Sequence, residues 1–137
     1  MTTALETIPR PAAAARRQGL ALARGLGWFS IVLGLTELVL PGTLSRTLGL
    51  GRRPGLVAGY GVREIAAGVG ILLGADPAPW IQARIAGDAL DLATIAVPLF
   101  TRPDRRDVDL AALLVTAGVT ALDILCARRL GALPRLR

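Results

Sequence analysis

Four apolar segments, each close to the length that spans a bilayer as a helix, constrain this chain more than anything else in it. They run over roughly Leu20–Leu40, Gly55–Gly74, Trp80–Phe100 and Val108–Ala127. About 20 apolar residues suffice to cross the hydrocarbon core of a membrane. Backbone amides in lipid must find partners inside their own segment, so such spans have to be helical. The links between them are short and rich in turn formers: Pro41-Gly42, "GRRP", "ADPAP" and "TRPDRRD". Short links place consecutive helices antiparallel. The expected fold is therefore all-α, a four-transmembrane-helix antiparallel bundle over residues 20–129. A basic segment flanks it at each end: residues 1–19, a cytoplasmic tail or short surface helix, and the tail 130–137.

Composition supports this reading. Hydrophobic residues make up 53% of the 137-residue chain, and the mean hydropathy is +0.54. A soluble domain of this size exposes too much surface to be so apolar. A soluble helical bundle would accommodate the internal charges more easily. It would not explain four segments of spanning length with Arg-rich flanks. The Arg pair Arg16-Arg17 before an apolar run also fits an export signal. Against that, the run contains Glu37 and no small-residue cleavage site follows clearly.

All the basic residues are Arg, and the net charge is +6. The N-terminal flank holds Arg10, Arg16, Arg17 and Arg24, and the C-terminal flank holds Arg128, Arg129, Arg135 and Arg137. The links between hold Arg46, Arg52, Arg53, Arg102, Arg105 and Arg106. With an even number of spans, this asymmetry places both termini in the cytoplasm of a bacterial inner membrane. Trp28 and Trp80 then fall near the cytoplasmic interface. The Arg residues lie between apolar segments and are not interleaved with aromatics, so nucleic acid is not an expected partner. The absence of His and the single Cys, Cys126, leave no usual zinc, haem or His-dependent catalytic set. No cofactor, metal or catalytic residue is expected. Cys126, in an apolar helix, reads as a buried inert thiol.

The charges inside the spans need an explanation. On a helix Arg84, Asp88 and Asp91 fall within about 60° of one another, so they form one stripe that can turn away from lipid. A central charge costs about 2.5–3.5 kcal/mol, and each large aliphatic or Phe returns about 0.3–0.6. Three charges therefore outweigh the aliphatic residues of this span, which should not insert well alone. The second span carries Arg63 and Glu64 and is in a similar position. Joined by the short link Ala75–Trp80, the two form a natural hairpin whose charges can pair.

Arg63 and Glu64 lie about 100° apart on their helix, so each is expected to find its partner on another helix. Arg63 with Asp88 or Asp91, and Glu64 with Arg84, are the plausible couples. Gly55-x-x-x-Gly59 and Gly70-x-x-x-Gly74 are small-residue spacings that permit close helix approach. They mark Gly59 and Gly70 as packing positions on the face of Arg63, and Gly87 shares the arc of the third-span charges. Polar stripes also mark the first span (Ser30, Gly34, Glu37) and the fourth (Asp109, Thr116, Thr120, Asp123). Five acids, Glu37, Glu64, Asp88, Asp91 and Asp123, face two bases, Arg63 and Arg84. The surplus must be protonated, wetted at a span end, or matched by a bound cation. Glu37 and Asp123, near span ends, are expected to be wet.

"GWFSIVLGLTELVLPG", "GVREIAAGVGILL" and "WIQARIAGDALDLATI" resemble a family of small four-helix bacterial inner-membrane proteins. Its members occur alone or fused to a soluble cyclase/dehydrase-like domain. The likeness covers about Gly27–Val97, and G-x-R-E-x-x-x-G and G-D-x-x-D-L are its most specific parts. It implies a shared core of Gly61, Arg63, Glu64, Gly68, Arg84, Gly87, Asp88, Asp91 and Leu92. It implies a fold and a membrane location, with no established activity.

The expected role is thus structural or accessory, in an oligomer or beside a protein partner, with a buried Arg/Asp/Glu network. The alternative is a small proton- or cation-coupled transporter. An enzyme ranks third, since no nucleophile accompanies Asp88 and Asp91. The readings differ in one feature: a transporter needs a cavity reaching Asp88 or Asp91, and an accessory protein needs a closed, dry core.

Overall fold

The computed structural model describes residues 11–48, 50, 53–101 and 106–132, with the side chains of residues 98, 99 and 106 left aside. The fold is all-α. Among the described residues there are five helices: α1 (Pro11–Val39), α2 (Pro41–Thr47), α3 (Pro54–Leu73), α4 (Ala78–Thr101) and α5 (Arg106–Leu130).

Local chemistry places the helix ends. Proline stands in the first turn of α2 and of α3, where its missing N–H and preset φ cost nothing. Asp76 accepts the amide of Ala78 at the start of α4 (3.1 Å). Gly131 closes α5 with a φ of 74°. Its amide reaches the Arg128 carbonyl, and the Ala132 amide reaches that of Ala127, the paired bonds of a glycine-terminated helix.

Three helices, α1, α3 and the Asp107–Leu130 stretch of α5, are long and apolar enough to cross a membrane. Every 18-residue window of α4 contains Arg84, Asp88 and Asp91, which removes it from that set. Large apolar side chains point outward: Leu73 is 83% exposed, Phe100 82% and Leu114 70%. A water-soluble bundle would leave no such continuous apolar exterior uncovered.

The structure adds two features to the sequence reading. α1 begins at Pro11, not near Leu20, so residues 11–19 are helical and continuous with the first apolar segment. At about 1.5 Å per residue its 29 residues exceed a hydrocarbon core of about 30 Å. The link expected as a turn after Leu40 contains α2, a short helix. Residues 1–10 and 133–137 of the expected tails lie outside the described residues, as do Arg52, Arg102 and Arg105.

The long helices associate in two close pairs. α1 and α3 run antiparallel with their backbones nearly touching. A Cβ on Gly34 would lie 2.5 Å from the Gly61 carbonyl oxygen, and one on Gly68 would lie 2.6 Å from that of Gly27. Only glycine permits such an approach. α4 and α5 run antiparallel, with Arg84 opposite Asp123 and Asp88 opposite Thr120. The pairs meet at one end. There Cys126 donates to the Gly19 carbonyl, and Arg129 donates to Gln18. The apolar core occupies this end, built from Ala23, Leu26, Ile71, Ile81, Cys126 and Ala127. Toward the α2 end the pairs part, and a cavity of about 420 Å³ lies between them.

Candidate functional site: a buried charge network beneath a cavity

Arg84 is the centre of the network. Its side chain is 1% exposed. Its Nη1 donates to Glu64 Oε2 at 2.6 Å and to the Ser30 hydroxyl. Its Nε donates to Asp123 Oδ1 at 3.1 Å, and its Nη2 donates to Oδ2 at 3.1 Å. Ser30 in turn donates to Glu64 Oε2. Four helices thus meet at one guanidinium: Ser30 from α1, Glu64 from α3, Arg84 from α4 and Asp123 from α5. Burying charge is tolerable only with such complete pairing.

A second cluster lies beside it. Arg63 Nη2 donates to Asp91 Oδ2 at 2.7 Å and to Glu64 Oε1 at 2.8 Å. Its guanidinium covers Gly87, where a side chain would collide with it, and lies 5.5 Å from the Tyr60 ring centroid. Glu64 therefore bridges the two arginines through its two oxygens. Asp88 is buried and accepts from Thr120 at 3.1 Å. Glu37 is partly buried, and its Oε2 is buried without a hydrogen-bond partner among the described residues.

Several expectations need correction. Arg63 and Glu64 do pair with each other: directions at Cβ keep them apart, but the long Arg side chain swings back across its own helix. Of the two partners expected for Arg63, it is Asp91 that pairs with it. Asp123 is fully buried, because α5 continues to Leu130 and Arg84 reaches across to it. Glu37 is not simply wet, since it faces the cavity beneath α2.

Among the glycines, Gly59 is exposed, and a Cβ there would meet nothing within 4 Å. It is not a packing position. Gly70 instead receives the Trp80 ring, while Gly61 and Gly68 meet the backbone of α1. Their partners Gly27 and Gly34 were not singled out for packing. Their spacing of seven, matched by that of Gly61 and Gly68, is the signal that could have found them. Asp109, noted only as part of a polar stripe, is buried with neither carboxylate oxygen hydrogen-bonded among the described residues.

The cavity opens above these groups. Phe29, Leu33, Leu44, Leu48 and Val115 are among its apolar walls, and Glu37, Glu64, Arg84, Asp88 and Asp91 line it too. Its size lies within the range of about 300–1,000 Å³ usual for ligand sites. Both arginines are already committed to carboxylates, so the site is acidic. No group of three or more His, Cys, Asp or Glu among the described residues could hold a metal ion. No protein-family model, curated protein or solved structure matches the chain.

Proposed function

We propose that this chain is a multi-pass bacterial inner-membrane protein, with α1, α3, α4 and α5 as four antiparallel spans and both termini in the cytoplasm. It acts as a small proton- or cation-coupled carrier. The observation that supports this most is the cavity between the two helix pairs, which ends on Asp88 and Asp91. An accessory protein would have no use for it. A space closed by an apolar core at one end and open at the other suits a carrier in one of its two states. Rocking of the α1–α3 pair against the α4–α5 pair would move the opening across the charge network.

The α4 span enters as part of this assembly, because Arg63 of α3 pairs its Asp91, and Glu64 of α3 and Asp123 of α5 pair its Arg84. A structural role remains for one part of the network. Arg84, with Glu64, Asp123 and Ser30, joins the pairs at their common depth and acts as the pivot.

Reconstitution tests the reading. Proteoliposomes carrying the full chain should show cation uptake driven by an imposed proton gradient, and Asp88→Asn should abolish it. Uptake no greater than in empty liposomes, across inorganic and organic cations, would refute the carrier role.

A further inference from the structure

We infer that the cavity binds a protonated organic amine with an apolar body, its ammonium group seated against Glu37, with Asp88 a second acid of the same lining. This deepens the carrier reading and rests on the same cavity. Charge comes first. Arg63 and Arg84 are shared among Glu64, Asp91 and Asp123, so these three acids already outnumber the two bases. Neither Glu37 nor Asp88 forms a salt bridge among the described residues, though both line the cavity. An anion would meet this acidic surplus, and the guanidinium of the cavity lining, that of Arg84, is already held by Glu64 and Asp123.

The walls select among cations. Phe29, Leu33, Leu44, Leu48, Val108 and Val115 offer a hydrated inorganic ion nothing. No metal-holding group of three acids exists among the described residues either. An aromatic or branched aliphatic body of drug-like size would fill the same walls and leave water. Hydrogen bonding sharpens the choice. Glu37 Oε2 is a buried acceptor without a donor, and such groups are costly unless satisfied. An N–H of a protonated amine supplies a charge-assisted bond there. Leu44 of α2 and the adjoining Leu48 form part of the wall, so the apolar body lies among these side chains while the charge points at Glu37.

The test uses three probes on one skeleton: 2-(1-naphthyl)ethylammonium, the corresponding carboxylate and the corresponding alcohol. Binding to the detergent-purified full chain is measured by equilibrium dialysis with naphthalene fluorescence. The ammonium should bind at least about tenfold more tightly than the other two. Glu37→Gln preserves volume and breaks no hydrogen bond of the buried Oε2, and it should remove most of that preference. Leu48→Trp, which fills the apolar end, should weaken all three probes. Equal binding of the three probes would overturn the inference, as would ammonium binding unchanged in both Glu37→Gln and Asp88→Asn. The two proposals fail separately. Selective amine binding without transport in liposomes would refute only the carrier role, and gradient-driven inorganic cation transport without amine binding would refute only the ligand.

Discussion

Arg84 on α4 and Asp123 on α5 form an ion pair in which neither side chain is more than 1% exposed, with Nε and Nη2 donating to the two carboxylate oxygens. Removing the cation would leave Asp123 and Glu64 buried together. Breaking such a pair from one side costs roughly 3–5 kcal/mol. Arg84→Met should therefore strongly lower the thermal unfolding temperature in detergent. Arg84→Lys should fail to restore it, because an ammonium cannot reproduce the planar fork. Adding Asp123→Asn to Arg84→Met should recover part of the loss in a double-mutant cycle. Strictly additive effects would show that the pair is not coupled.

Arg63 and Asp91 make the contrasting pair. Their side chains are 30% and 19% exposed, so the pair is less completely enclosed than Arg84 and Asp123. Arg63→Ala should cost less than Arg84→Met, because Glu64 then keeps its bond to Arg84, whereas Arg84→Met strips the fully buried Asp123 of its paired cation. Thermal unfolding of the two variants side by side checks the order. An equal or greater loss for Arg63→Ala would place the mechanical centre of the protein there.

The glycines separate packing from mere spacing. A Cβ on Gly34 would press on the Gly61 carbonyl oxygen, whereas one on Gly59 would meet nothing. Gly34→Ala should destabilise the α1–α3 pair by forcing the backbones apart. Gly59→Ala should be neutral, or stabilising by up to about 1 kcal/mol through helix propensity. Unfolding midpoints of the two variants in one detergent decide this. A reversed order would mean that α1 and α3 do not touch along Gly27, Gly34, Gly61 and Gly68.

Membrane association has its own test. The protein should stay with the membrane through carbonate extraction. Expressed alone in an insertion assay, the α4 segment should insert poorly, because its three charges outweigh its aliphatic residues. Joined to α3 it should insert more efficiently, since Arg63 and Glu64 can pair with Asp91 and Arg84. Efficient insertion of α4 by itself would remove the reason for a cooperative hairpin.

The sequence by itself determined what depends on one helix at a time. Segment length, the Pro and Gly stops and the apolar content define the helices. The 3.6-residue period puts Arg84, Asp88 and Asp91 on one stripe and predicts that it faces the interior. The couples Arg63–Asp91 and Glu64–Arg84 were within reach because opposite charges in an apolar setting have few alternatives.

What only the tertiary structure decided depends on how helices rotate and approach. Asp123 looks like a wet residue near a span end until α4 and α5 pack with Arg84 opposite it. Gly59 and Gly61 look alike in sequence, yet only Gly61 meets the backbone of α1. α2 is too short to announce itself by periodicity. The cavity is a space between the helix pairs, bounded by residues from all five helices, and its volume follows from how far the pairs part beyond their common apolar end. Sequence periodicity describes faces of single helices, whereas a cavity is set by the distances between them.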